Sequence, residues 1–182
     1  MNFCSHCGAG IKLEIPVGDN RTRHICRDDN CGTIHYQNPK IITGCLPIFE
    51  DKVLLCKRAI EPRYGLWTLP AGFMENGETT EEGALRESWE EAQAKCQIDG
   101  LYAVYDLPHI NQVYFFYRCT LEENGFGVGE ESLEVQLFEE KDIPWDDLAF
   151  SVITATLQAY FDDRKTHQFT FRHRQLAPMS RP

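Results

Sequence analysis

Gly72-Phe73-Met74-Glu75-Asn76-Gly77-Glu78, followed seven residues later by Arg86-Glu87-Ser88-Trp89-Glu90-Glu91, is the stretch on which the reading of this chain turns. Thr79-x-x-Glu82 has the form of a capping box, so a helix is expected from Thr79 to about Ala94. On that helix Glu87, Glu90 and Glu91 stand at i, i+3 and i+4 and share one face. Leu85, Trp89, Ala92 and Cys96 fall opposite, where they are expected to pack on a sheet. Adjacent like charges on a helix repel by roughly a few tenths of a kcal/mol per pair. A divalent cation removes that penalty, and hard cations such as Mg²⁺ take oxygen ligands while keeping room for substrate phosphates. Solvated acidic helices are common, but two further features set this one apart. The Gly/Pro-rich segment from Pro62 to Gly77 has the composition of a loop that fixes backbone carbonyls and amides. Arg86, one residue before the first carboxylate, can pair with Glu78 or Glu90 and brace that loop.

Outward from the acidic helix, Ile41 to Phe49 and Val53 to Arg58 read as a β-hairpin turned at Glu50-Asp51-Lys52. Ile98 to Tyr105, Gln112 to Leu121 and Leu133 to Phe138 read as strands, and Phe150 to Asp163 as a second long helix. Gln168 to Arg172 alternates and reads as a short strand. Strands mixed with two separated helices, without a regular βαβ repeat, predict an α/β (α+β) sandwich with a mixed sheet between helices. Asn38-Pro39 marks a boundary, because proline restricts the residue before it. The expected organisation is a cysteine-rich module over 1–38, a catalytic-type domain over 39–163 and a basic C-terminal tail over 164–182.

Eight cysteines divide unevenly along the chain. Cys4-x2-Cys7 and Cys26-x4-Cys31 offer four thiolates from two turns, the donor set of a tetrahedral structural Zn²⁺ site, while the other four lie in apolar segments. A module of under 40 residues lacks the core to fold alone, and zinc supplies the missing stability. His6, His24 and His35 lie nearby as less favoured ligands. The net charge of −10, with five bases against four acids from Met1 to Lys40, argues against nucleic acid as a partner. No apolar run approaches the roughly 18 residues of a membrane span, and no basic-then-apolar leader opens the chain. A cytoplasmic protein is the expectation.

Gly72, Glu78, Arg86-Glu87 and Glu90-Glu91 resemble the box of the Nudix hydrolases, G-x5-E-x7-R-E-U-x-E-E-x-G-U, at every charged position. Two positions depart: Ser88 stands where an aliphatic residue is usual, and Gln93 replaces the second glycine. The resemblance implies a Nudix fold with a loop–helix–loop site. It implies that Glu87, Glu90 and Glu91, with the Gly72 carbonyl, hold Mg²⁺ or Mn²⁺, and that Glu78 and Arg86 are structural. It implies attack of water on phosphorus in a P–O–P linkage, with a base from the box or from a later loop, where Glu134 is the first candidate and Glu131 the second.

Among Nudix proteins preceded by a zinc ribbon, the NADH pyrophosphatases carry an SQPWPFPxS-like signature that this sequence lacks. The chain is similar instead to the group containing the plant FAD pyrophosphatases, through "IHYQNPK", "LWTLPAGFMENGET", "RESWEEA", "DLPHINQVY", "ESLEVQLF" and "DIPWDDLAFSVI". That similarity implies hydrolysis of FAD to FMN and AMP, with ADP-ribose or NADH as lesser substrates, and a possible homodimer. The alternatives are a Nudix-fold nucleotide sensor without turnover and an RNA 5′-end or cap pyrophosphohydrolase. Tyr64, Trp67, Tyr105 and Tyr114 are the aromatics available to a flat ring, and His109 and Gln112 are polar residues placed between strands.

Overall fold

The computed structural model describes residues 1–123 and 125–178. The chain forms two compact units, Met1–Asn38 and Pro39–Pro182. The first is an antiparallel sheet in the order β1 (Ile11–Glu14), β2 (Arg23–Cys26), β3 (Ile34–His35). Its two buried side chains are Cys4 and Cys26. Its centre is therefore sulfur rather than hydrocarbon, while Leu13, Ile15 and Val17 stay exposed.

The second unit is built on an eight-stranded mixed sheet. A hairpin of β4 (Lys40–Phe49) and β5 (Lys52–Arg58) is followed by the short strands β6 (Trp67–Thr68) and β7 (Ala71–Phe73) and by helix α1 (Thr80–Ala92). The long antiparallel pair β8 (Cys96–Leu107) and β9 (Gln112–Leu121) comes next. Then come β10 (Ser132–Phe138), helix α2 (Ser151–Thr166) and β11 (Arg172–Gln175). The strands lie in the order β10-β5-β4-β9-β8-β11, with β6 on β5 and β7 on β4. β4–β9 and β8–β11 run parallel.

The alternation of side chains across each strand distributes the core between two faces. Leu46, Leu55 and Phe116 point into the larger core with Val152, Ile153, Leu157, Tyr160 and Phe161 of α2. Their neighbours Cys45 and Tyr117 face Ala84 of α1, and Leu54 joins Ala92 of α1. Both faces of the sheet are thus covered by a helix, as the strand–helix pattern predicts.

Several expectations are corrected. The packing face of α1 is Gly83, Ala84, Ser88, Glu91 and Ala92, whereas Trp89 is 52% exposed. Small residues let α1 lie close to β4, and Trp89 lines the cavity instead. The expected boundary at 163/164 falls inside α2, which runs to Thr166. Nor are residues 164–178 a solvated tail. Phe169 and Leu176 pack on the main core, and β11, four residues later than the alternation suggested, adds an edge strand to β8. Arg172 holds it there, forming an ion pair with the buried Asp163, whose Oδ2 is 2.6 Å from Nη1 and also accepts from Tyr102 Oη at 2.9 Å. Among the described residues no helix is long and apolar enough to cross a membrane.

Burial alone would raise the Asp163 pKa, but the Arg172 and Tyr102 hydrogen bonds outweigh it and hold it below the ordinary value. The stabilisation is therefore present above about pH 4 and is lost as pH falls through the depressed folded value. Arg172→Leu leaves that carboxylate without its cation and is expected to cost about 3 kcal/mol, lowering Tm by about 6–12 °C. Thermal unfolding at pH 7 and at pH 3 checks this; a deficit that failed to narrow in acid would show that the charge pair is not its source.

Candidate active site

The loop and helix that carry the acidic motif are held together by one guanidinium. Arg86 Nε and Nη2 donate to Glu78 at 3.0 and 2.8 Å, and Nη1 donates to Glu87 at 2.7 Å and Glu90 at 2.9 Å. Nη2 also donates to the Phe73 carbonyl at 3.1 Å. These bonds pull the Glu78 carboxyl down to about 2. The capping box forms as predicted: the Thr79 hydroxyl accepts from Glu82 N–H, and the Glu82 carboxylate accepts from Thr79 N–H. The two departures from the family pattern are absorbed locally. Ser88 is fully buried and its hydroxyl donates to the Ala84 carbonyl at 2.8 Å. Gln93 adopts the left-handed conformation itself, at φ 45°, and ends the helix where a glycine would.

Arg86 leaves the deepest carboxylate uncompensated. Glu91 is 5% exposed, and its Oε2 accepts a single hydrogen bond, from Ala71 N–H at 3.1 Å. Burial, with the nearby Glu87 charge, pushes its pKa up to about 8, and burial likewise raises that of Glu87. Gly72 lies directly against Glu87: a Cβ at Gly72 would stand 2.2 Å from Glu87 Oε2. The segment after β9 closes against the same helix. Gly127 and Gly129 donate to the Ala92 and Glu91 carbonyls at 2.7 and 3.1 Å, and a Cβ on Gly129 would fall 1.9 Å from the Glu90 carbonyl oxygen. That close approach carries Glu130 and Glu131 to the acidic cluster.

The carboxylates line a cavity of about 1090 Å³ on the second unit. Its lining contains seven glutamates, Glu61, Glu75, Glu87, Glu90, Glu91, Glu130 and Glu131, against three arginines, Arg58, Arg63 and Arg86. His109, Gln112 and Tyr114 form part of its wall, and Tyr114 Oη donates to Gln112 Oε1 at 3.0 Å. Phe73, Trp89 and Phe150 add aromatic surface.

Several sequence-based expectations are displaced. Glu134 lies outside the lining. It is half-exposed and sits 3.8 Å from Lys57, its cross-strand neighbour. A register shift between Ser132 and Glu134 separates its orientation from that of Glu131, which does line the cavity. Trp67 is a core residue, 8% exposed and packed edge-on against Phe138 with ring centroids 4.9 Å apart. Tyr105 is likewise buried, and Tyr64 is exposed outside the lining. Arg58, Phe73, Trp89 and Phe150 were not singled out by the sequence, because nothing local to them distinguishes a cavity wall from a core.

In the first unit the Sγ atoms of Cys4, Cys7, Cys26 and Cys31 lie within 4.8 Å of one another. Cys4–Cys31 and Cys7–Cys26 are separated by 3.9 and 3.4 Å. A tetrahedral ion with bonds of about 2.3 Å sets sulfurs about 3.8 Å apart, so the cluster has the dimensions of a four-thiolate site. His6 and Asp28 backbone N–H groups donate to Cys4 and Cys26, and Thr33 bonds pull the Cys31 pKa down to about 6. His35 Nε2 lies 3.3 Å from Cys4 Sγ.

A family model for the NUDIX domain matches residues 39–171, and the zinc-ribbon model described as Nudix N-terminal matches residues 2–37. The chain belongs to the Nudix hydrolase family. A crystal structure of a NUDIX hydrolase from Nitrosomonas europaea is 55% identical, with a TM-score of 0.92 over 97% of this chain and 99% of that one. An ADP-ribose pyrophosphatase of Methanocaldococcus jannaschii is 30% identical over 60% of this chain and 67% of its own length. A Schizosaccharomyces pombe NAD-capped RNA hydrolase is 27% identical over 81% of this chain but only 39% of its own length.

Gly72→Ala is expected to displace the Glu87 carboxylate while leaving the fold intact, since the clash is with the end of a flexible side chain. Titration with Mn²⁺ as a paramagnetic probe should show affinity weakened about ten- to a hundredfold at nearly unchanged Tm. Unaltered Mn²⁺ affinity would separate Glu87 from the cation site.

Proposed function

We propose that the cavity hydrolyses the pyrophosphate bond of a dinucleotide or nucleoside diphosphate derivative, with FAD, giving FMN and AMP, as the preferred substrate and ADP-ribose and NADH as lesser ones. The observation that carries the reading is the buried Glu91, which no arginine bonds, set with Glu87 and Glu90 in a cavity of about 1090 Å³, just above the roughly 300–1,000 Å³ usual for ligand sites. A mononucleotide would leave much of that space empty.

Glu87, Glu90 and Glu91, with the Gly72 carbonyl, are the oxygens that would hold Mg²⁺ or Mn²⁺. The burial and repulsion that raise the Glu91 and Glu87 pKa values are the conditions such an ion relieves. Bound there, the ion polarises phosphoryl oxygens and lowers the pKa of water. Glu78 and Arg86 fix the loop. Glu131, on the segment clamped to α1 by Gly129, is the cavity carboxylate from the later loop that can take the proton of the attacking water. The aromatic walls from Phe73, Trp89 and Tyr114 suit planar rings. The thiolates of Cys4, Cys7, Cys26 and Cys31 hold one structural Zn²⁺.

The sequence similarity to the FAD pyrophosphatase group supports FAD, and the archaeal relative's name supports ADP-ribose. Hydrolysis of NAD-capped RNA is a second reading, favoured by the name of the fission-yeast relative and opposed by a net charge of −10. A sensor without turnover has no use for the complete carboxylate set.

Product analysis with FAD, NADH, NAD, ADP-ribose and NAD-capped RNA tests the reading directly. FMN plus AMP, formed preferentially from FAD and only with Mg²⁺ or Mn²⁺, is the expected result. No cleavage of any substrate would move the protein to a sensing role. Glu87→Gln, Glu90→Gln and Glu91→Gln should each cut turnover by about two orders of magnitude or more. Glu131→Gln should cut it about 10²-fold or more, with Glu134→Gln nearly unaffected; the reverse pattern would return the base to β10. Metal analysis should find one zinc per chain, lost together with the NMR dispersion of residues 1–38 when Cys7 and Cys31 are replaced by serine.

A further inference from the structure

The loop of the acidic motif carries a reactive pair that pyrophosphate hydrolysis does not use. Asn76 precedes Gly77, and both are exposed in the turn between β7 and α1. Gly77 sits at φ 94°, and a Cβ built on it would meet nothing within 4 Å, so the turn is open to water. Among the described residues neither the Gly77 N–H nor the Asn76 carboxamide makes a hydrogen bond. The amide nitrogen after an asparagine can reach the side-chain Cγ in a five-membered ring, and a glycine offers no Cβ to hinder that approach. The chain has one other Asn-Gly pair, Asn124-Gly125. There the Gly125 N–H donates to the Glu122 carbonyl at 3.0 Å, which occupies the nitrogen that would have to attack.

The chain around Asn76 has no slack. Glu75 N–H donates to Glu78 Oε1 at 2.7 Å, closing a hydrogen-bonded ring that encloses Asn76 and Gly77. Arg86 grips the loop on both sides of the pair, at the Phe73 carbonyl by 3.1 Å and at Glu78 by 3.0 and 2.8 Å. A main-chain atom added between Glu75 and Glu78 must break one of these bonds or move Glu78. Moving Glu78 also moves the guanidinium that bonds Glu87 and Glu90.

We infer that Asn76-Gly77 is a deamidation site whose isoaspartyl product loosens the Arg86 clamp and weakens the acidic cluster as a cation site. The Gly77 nitrogen forms a bond to Asn76 Cγ, and the bond from Cγ to Nδ2 breaks. The Gly77 amide proton passes through solvent to the departing nitrogen, which leaves as ammonia, and a succinimide remains. Water then opens the ring at one of its two carbonyls. Opening at Cγ gives aspartate with the chain length unchanged. Opening at the main-chain carbonyl routes the backbone through Cβ and Cγ, which lengthens it by one atom and frees the α-carboxylate. Both products add a negative charge beside Glu75 and Glu78, but only the second strains the clamp. Water is the only co-reactant. The modification is independent of the substrate; the loss it causes rests on the proposed cation site.

Ageing the full chain at mildly alkaline pH, with peptide mapping by mass spectrometry and Mn²⁺ titration of the same samples, tests the inference. Electron-capture fragmentation distinguishes isoaspartate from aspartate. Asn76 should convert ahead of Asn124, and the isoaspartyl fraction should bind Mn²⁺ about ten- to a hundredfold more weakly. Asn76→Gln, whose side chain would have to close a larger ring, should keep fresh affinity through the same ageing. Asn76→Asp adds the charge without the extra atom and should bind Mn²⁺ within about threefold of wild type. An intact Asn76 beside a converted Asn124, or full isoaspartyl conversion with unchanged Mn²⁺ affinity, would overturn the inference. A loss in Asn76→Asp as large as that in the aged protein would overturn the chain-length argument. If fresh wild type binds no Mn²⁺, the cation-site reading fails by itself. The peptide map then still decides the modification, and a lowered Tm of the aged protein decides the damage to the clamp.

Discussion

Four carboxylates gathered at one helix with one arginine between them set the terms for the rest of this structure. Arg86 bonds Glu78, Glu87 and Glu90 and tethers the Phe73 carbonyl, so a single cation fixes the loop against α1. It does not bond Glu91, which is buried deeper in the cluster against Ala71. A protein that only needed a stable helix would be better served by apolar residues at these positions, since a buried unpaired carboxylate costs stability. The proposed cation from solution is what would offset that cost.

That site depends on a sheet buried on both faces. Because neighbouring residues on β4 and β5 point to different helices, α1 and α2 are held at fixed positions relative to the same strands. α1 approaches through small residues, Gly83, Ala84 and Ser88, which brings its acidic residues down to the level of β7 and Gly72. α2 contributes bulk to the opposite core but presents its first turn, at Phe150 and Ser151, to the cavity. The cavity is thus framed by elements whose positions are set by packing far from the chemistry, which allows polar groups to be held there at a cost met elsewhere in the core.

What was legible in the sequence was what is local. The capping box, the i, i+3, i+4 placement of Glu87, Glu90 and Glu91, and the two close cysteine pairs each depend on spacing within a few turns of chain. The substitutions at Ser88 and Gln93 changed little, because a hydroxyl can bond the carbonyl one turn back and a non-glycine residue can take a left-handed cap. What stayed hidden depends on long-range pairing. Glu131 and Glu134 cannot be ranked from the sequence, because a register shift on β10 decides which one reaches the cavity. The segment after Asp163 reads as a basic tail until Arg172 is seen to pair with Asp163 and β11 with β8. Trp67 is one of several aromatics open to either a ligand or a core role until β6 is seen to carry it into the core.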